Sequence, residues 1–432
     1  MKEFIINLLS YINNNLWILT TFIIVLSGLY LTIKLKGIQF NLKKMIRSLK
    51  NTNPNTNGLS PFKTLMLSLA GRIGVGSISG VALAIYIGGP GTIFWIWIIS
   101  LISAPLAYME SYLGVKYKEK DNNHYIGGPA YYLKKALNKP KLGAFYAILI
   151  IICYVIGYMS VQSNTIMKAT YSILNAKPII IGLGLSVISG IIIFGGIKKI
   201  SNATSKIVPL MSGVYILLAL FIIIKNISLV DNIFYLIIKS AFNFKSISGG
   251  FLSTLLMGVQ RGIFSNEAGI GTGSIAAASG SDNDPKSSGR LQMIGVYITS
   301  LFICTATAII ILLSNYNSLS INDANGIEIA TFAFNYHLGN LGNIILSISI
   351  FLFAFSTILS GYYYGESSLK FLTNNNKIYL LKILSVLIIF LGTVLSPTII
   401  WKFTDLFIAL LAIINIYAII YYYKNAQKNR LR

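Results

Sequence analysis

Histidine and cysteine are nearly absent from this chain, at two of each in 432 residues. Cys153 and Cys304 each sit inside an apolar run, which argues against a disulfide framework or a thiolate metal site and leaves both as small core residues. His124 and His337 fall in connecting segments with no ligand partner close in sequence, so a metal centre has no support. Acids are scarce as well. Twelve Asp and Glu stand against 35 Lys and Arg, and charged residues make up only 11% of the chain, where soluble domains carry about 25%. The formal charge of +23 is a poor sign of nucleic-acid binding, because the bases are scattered over short loops and no reader motif accompanies them. An intramembrane enzyme would need a nucleophile with a base, or a metal. The stretch "SNEAG" has Ser265 and Glu267, but no His or Asp is read beside them in any span.

What is abundant is apolar sequence, 55% of the chain. A bilayer core takes about 20 apolar residues per helical crossing. On that measure the chain reads as an all-α polytopic membrane protein with 11 transmembrane helices. They lie near 15–34, 62–87, 92–115, 143–172, 178–196, 205–224, 247–279, 291–314, 341–367, 378–396 and 402–423. The stretch 229–243 intersperses charges among apolar residues and reads as an interfacial helix. The N-terminus does not read as a signal peptide, since its basic region is thin and no small-residue cleavage pattern follows.

Every second connection is basic. Lys34, Lys36, Lys43, Lys44, Arg47 and Lys50 occupy the first loop; Lys116, Lys118, Lys120, Lys134, Lys135, Lys139 and Lys141 the third; Lys198, Lys199 and Lys206 the fifth. Lys286 and Arg290, then Lys370 and Lys377, then Lys424, Lys428, Arg430 and Arg432 continue the series. The alternate connection 315–340 has Asp323 and Glu328 and no Lys. Positive-inside bias therefore places the N-terminus outside and the C-terminus in the cytoplasm of a cell-membrane protein. Lys225, Lys239, Lys245 and Lys402 run against the trend.

Two spans are interrupted. Residues 70–80, "AGRIGVGSISG", bring four glycines, two serines and an arginine into an apolar helix. Each glycine costs about 1 kcal/mol in a helix interior relative to alanine. Close helix packing would account for one Gly-xxx-Gly pair but less well for this run. An opened segment frees peptide groups that hydrocarbon cannot satisfy, so it is tolerated where it lines a cavity. The second interruption is 249–279, where an apolar half-helix runs into Arg261, Ser265, Asn266 and Glu267. Arg261 and Glu267 read as a structural pair bracing that break. The breaks fall five spans apart. This leaves an extra first span (15–34) and two sets of five, 62–224 and 247–423, which is the arithmetic of a 5+5 inverted repeat within a single transporter domain, 1–432.

"GVGSISGVALAIYIGGPGTIFWIW" (74–97), "GGIKKISNATSKIVPLM" (195–211), "RGIFSNEAGIGTGSIAAA" (261–278) and "LFAFSTILSGYYYGE" (352–366) resemble the alanine or glycine:cation symporter family over nearly the whole chain after the first span. The resemblance implies a leucine-transporter-like fold and sodium-driven uptake of a small neutral amino acid by alternating access. It implies substrate contacts from Gly74, Val75, Gly76 and Ser77, from Gln162 in "SVQSN", from Phe264, Ser265 and Asn266, and from Gly361. It implies sodium held by carbonyls of Ala70, Ile73 and Phe353 and hydroxyls of Ser356 and Thr357, a set of neutral oxygens suited to a hard cation. Back-bonding to the preceding helical turn is the ordinary alternative for Ser356 and Thr357. The chain departs from the family pattern in three places: Ser77 where Asn is usual, Thr299 where Asp is frequent, and Gly361 where Trp is frequent. Loss of a large ring at 361 predicts room for a side chain bigger than methyl, such as that of glutamine.

The expected partners are therefore a small neutral amino acid, Na⁺ as co-transported ion, and the bilayer, with no cofactor, no nucleic acid and no obligate protein partner. A zwitterion suits two opened helices, whose free amides donate to its carboxylate and whose free carbonyls accept from its ammonium. Glu110 and Glu366 read as gate or bracing residues. A channel is disfavoured, because two unlike breaks do not form a ring of identical filters. Proton coupling through Glu110, Glu267 or Glu366 is the alternative to sodium.

Overall fold

The computed structural model describes residues 2–49, 58–121, 124–242, 250–281, 284–316, 326–373, 377–395 and 397–430. Residues 243, 247–249 and 396 of the expected helices, and Lys50, Lys245, Asp323 and Arg432, lie outside the described residues. Seven described helices are long and apolar enough to cross a bilayer: Ile6–Lys34, Thr92–Lys116, Pro140–Leu174, Gly196–Lys225, Pro285–Leu312, Asn340–Thr373 and Ile399–Ala426. Two shorter apolar helices, Pro178–Ile193 and Ile378–Gly392, join them. Pro61–Arg72 and Val75–Gly88 together form an eighth crossing bent by 62°. Helix Gly250–Asn266 is followed by the short helix Thr272–Ala278.

Helix starts follow local chemistry. Ser60 caps Pro61–Arg72 by accepting from the Lys63 amide, and Asp284 does the same for Lys286 at 2.9 Å, each with proline in the next position. The first helix starts at Lys2, well before the expected residue 15. Its polar first half is held by packing: Asn13 donates to the Lys402 carbonyl at 2.8 Å and Trp17 to that of Asp405 at 3.2 Å. The C-terminal helix begins at Pro397, and the sixth expected span extends back to Gly196. The stretch read as interfacial is a helix, Ile227–Ala241.

Two features escaped the sequence. Glu119–Asp121 pairs antiparallel with His124–Ile126 and leads into a helix at Pro129–Lys135, a small hairpin in a chain expected to be all-α. Lys370 straps the hairpin to the long helix Asn340–Thr373 by reaching Asp121 at 2.9 Å and Glu366 at 3.0 Å, which makes Glu366 a brace. The other feature is a pair of widened, π-helical stretches, Ile151–Tyr158 and Ile298–Cys304. Such turns recur at functional sites, and both of these face the second interruption.

Candidate substrate and cation site

The first opening starts where Ile73 leaves the helix with ψ of 71° and Gly74 is extended. A single tight turn, Val75–Ser77, follows before the chain resumes as helix. The Val75 amide turns sideways and donates to Gln162 Oε1 at 3.1 Å. The Ser77 carbonyl accepts from Thr307 at 2.8 Å. The glycines here are steric necessities. A Cβ on Gly74 would lie 2.5 Å from Thr357 Oγ1 and 3.2 Å from Gln162 Oε1, and one on Gly76 would lie 2.6 Å from the Phe264 ring. G74A is therefore expected to abolish sodium-stimulated substrate binding, read by thermal shift, while the purified protein remains monodisperse. Unchanged binding would show that the Gly74 surroundings give way.

The residues implied as sodium ligands converge at the mouth of this opening. The Ala70 carbonyl accepts the Thr357 hydroxyl at 2.7 Å. The same hydroxyl lies 3.0 Å from the Phe353 carbonyl, to which Ser356 donates at 2.9 Å. Ile73 is fully buried alongside, and its amide still bonds Leu69. Thr357 thus bridges two carbonyls of separate elements, whereas Ser356 bonds a carbonyl of its own helical turn and otherwise reaches only the Met211 sulfur at 3.7 Å.

The second opening is sharper. Glu267, Gly269 and Gly271 all have positive φ, at 54°, 85° and 107°, a sequence no helix accommodates. Its peptide groups are taken up by side chains of neighbouring spans, as burial in hydrocarbon demands. Tyr158 donates to the Phe264 carbonyl at 3.0 Å, Tyr146 to that of Ile270, and Asn415 to that of Gly269 at 2.9 Å. Asn266 turns the chain by accepting from the Ala268 amide at 2.9 Å, and its amide group reaches Ser300 at 3.2 Å. Phe264 lies between Tyr158 and Trp401, with ring centroids 4.9 and 5.0 Å away. Ser265 is buried against Gly76. Gly361 lies one turn beyond Thr357 and faces Tyr154 across ordinary van der Waals distance, 3.6 Å at the nearest atom to a would-be Cβ.

Above the aromatic layer a cavity of about 620 Å³ opens among Ser79, Leu83, Gln260, Arg261, Trp401 and Asp405. Arg261 closes its floor. It pairs with Asp405 at 2.8 Å, both side chains under 10% exposed, and its guanidinium lies over Phe264 and Trp401. This corrects two expectations. Arg261 braces against Asp405 and not Glu267, which instead accepts from Tyr154 and Thr272, both at 2.8 Å. An aspartate does stand among the spans, at 405. The signal was in the sequence: an acid between Thr404 and an apolar run is a charge in need of a partner. Thr299, one of the departures from the family pattern, bonds its own helix at Gly295.

Two interrupted helices meeting inside a helical bundle, below a half-buried vestibule, define a membrane transporter. The solved structures it resembles agree at the level of fold. They include a Na⁺-coupled sialic acid symporter (TM-score 0.50, 15% identity, 95% of this chain and 82% of that one) and the manganese transporter of Eremococcus coleocola (TM-score 0.55, 14% identity, 84% and 80%). Residues 2–430 match the sodium:alanine symporter family, to which the chain belongs. Relatives include the probable sodium/glutamine symporter GlnT of Bacillus subtilis, 39% identical over 97% of this chain and 88% of that one. The sodium/alanine symporter AgcS of Methanococcus maripaludis is 34% identical over 95% and 93%. The chain is an amino-acid–cation symporter of the membrane, a transporter and not an enzyme.

Proposed function

We propose that this protein imports a neutral amino acid with sodium by alternating access, over eleven spans arranged as an extra helix and a 5+5 inverted repeat. Support for the repeat comes from packing. Thr92–Lys116 packs on Pro285–Leu312, Pro140–Leu174 on Asn340–Thr373, and Pro178–Ile193 on Ile378–Gly392, each span against its counterpart five later. In this reading the basic loops are cytoplasmic, the N-terminus is outside and the vestibule faces outward. Gly74–Ser77 and Phe264–Asn266 hold the zwitterion by main-chain groups with Gln162 alongside. Sodium lies among the carbonyls of Ala70, Ile73 and Phe353 and the hydroxyls of Ser356 and Thr357. Sodium drives transport by favouring one state, since a ligand bound equally to both shifts nothing.

The observation that carries the reading is Thr357, whose hydroxyl reaches carbonyls of two separate elements at the edge of the first opening. The test is counterflow in proteoliposomes with a panel of amino acids, with and without sodium; equal exchange without sodium would defeat it. For the side chain, glutamine is the favoured substrate over alanine. Gly361 presents no side chain toward Tyr154, and a relative named for glutamine is 39% identical. G361W is expected to cut competition by glutamine at least about tenfold while competition by alanine changes little, because ring volume at one wall excludes the longer side chain. Equal loss for both would remove residue 361 from the substrate wall.

A further inference from the structure

Beneath the two openings, on the side away from the vestibule, lie three charged residues that the sodium and substrate positions do not use. Arg72 ends the first half-helix, Glu110 comes from Thr92–Lys116 and Glu267 from the second opening. All three are 1% exposed or less. Arg72 faces both carboxylates yet makes no ion pair within 4 Å among the described residues. One of its nitrogens donates to the Gln292 carbonyl at 2.8 Å, and Nε and Nη2 have no partner among the described residues. The Tyr364 hydroxyl, also fully buried, is equally without one and points at the same spot: a Cβ on Gly71 would lie 2.6 Å from it and 3.2 Å from Glu267 Oε2. On the other side, a Cβ on Gly273 would lie 2.6 Å from Arg72 Nη2 and 2.9 Å from Glu110 Oε1.

The charge count does not close. Two ionised carboxylates against one guanidinium leave an uncompensated negative charge at fully buried positions, an arrangement that burial strongly disfavours. The hydrogen bonds locate the imbalance. Both oxygens of Glu267 accept hydroxyls, from Tyr154 and Thr272. Glu110 accepts twice at Oε2, from the Gly269 amide at 3.1 Å and Asn415 at 2.9 Å, while Oε1 accepts from nothing. Facing Glu110 from the surrounding elements are Arg72, Glu267, Tyr132, Tyr146 and Tyr364, so among the described residues no second cationic side chain faces it.

We propose that Glu110 holds a proton while this side of the bundle is closed, and gives it to water when the segments around Gly71 and Gly273 part. The proton leaves Glu110 Oε1 for a water molecule, the carboxylate is then hydrated, and reclosure takes a proton back. The cluster is thus a proton-binding latch of the transport cycle, separate from sodium. This rests on the symport reading, with the far side being the one that releases substrate.

Two measurements test it on the full-length protein. Infrared spectra of the closed protein should show the band of a buried protonated carboxyl, absent in Glu110→Gln. Counterflow of glutamine in proteoliposomes, with pH varied from about 6 to about 9 on the far side, should rise several-fold in the wild type and stay flat in Glu110→Gln. A wild-type spectrum without the band, or a pH profile that survives in Glu110→Gln, overturns the latch. Sodium-stimulated thermal shift by glutamine in the same samples is a separate readout. Its absence in the wild type would sink the symport reading and leave the infrared result to decide the proton.

Discussion

Arg261→Ala is expected to bring sodium-driven uptake to background while leaving sodium-stimulated substrate binding measurable. The pair with Asp405 is buried on both sides and forms the vestibule floor. Removing one member of such a pair leaves the other charge uncompensated, at a cost of about 3–5 kcal/mol. Borne by the state in which the vestibule is shut, that cost shifts the balance of states by about 10²- to 5 × 10³-fold. The closed form then becomes too rare to sustain a cycle, although the open form still admits ligand. Asp405→Asn should behave alike. The double variant Arg261→Gln/Asp405→Asn, which removes both charges, should transport better than either single one. Proteoliposome uptake and thermal shift on the three variants decide the matter; single variants that transport normally would reduce the pair to a structural ornament.

Thr357→Val carries the second large effect. The substitution keeps the shape and removes one hydroxyl, which touches the carbonyls of Ala70 and Phe353. A hydrogen bond to a charged group contributes about 1.5–3 kcal/mol, and a cation contact of similar strength would raise the sodium concentration for half-maximal uptake by about 10- to 100-fold. Thr357→Ser should stay near wild type. Ser356→Ala should do less than Thr357→Val, because the Ser356 hydroxyl is already engaged within its own turn. A sodium titration of initial uptake rates orders the variants, and an unmoved half-saturation in Thr357→Val would take sodium away from this corner.

Much of this was legible before any coordinates. Glycines at 74 and 76 announced an opened helix, because a run of them is costly in a helix interior, and side chains of Thr357 and Phe264 do close in on both. The second opening was legible from Arg261, Ser265, Asn266 and Glu267 interrupting an apolar run. What composition could not give was pairing across distance. Asp405 lies 144 positions from Arg261, and hydropathy treats each as an isolated blemish; the nearer Glu267 looked like the natural partner. The hairpin at 119–126 was equally hidden, since three-residue strands bury too little to leave a periodic signal. Helix ends were misjudged where packing against a neighbour, as for Asn13 on Lys402, carries a helix past its apolar stretch.

The lack of room for a side-chain carbon at Gly74 and Gly76 also constrains how this transporter diversifies. Peptide groups are encoded by no codon, so drift cannot retune a grip made of them; at those two positions an added side chain meets Thr357, Gln162 or the Phe264 ring. Descendants acquiring a taste for other solutes must do so at the periphery, where a hydrogen atom at 361 still leaves evolution something to build on.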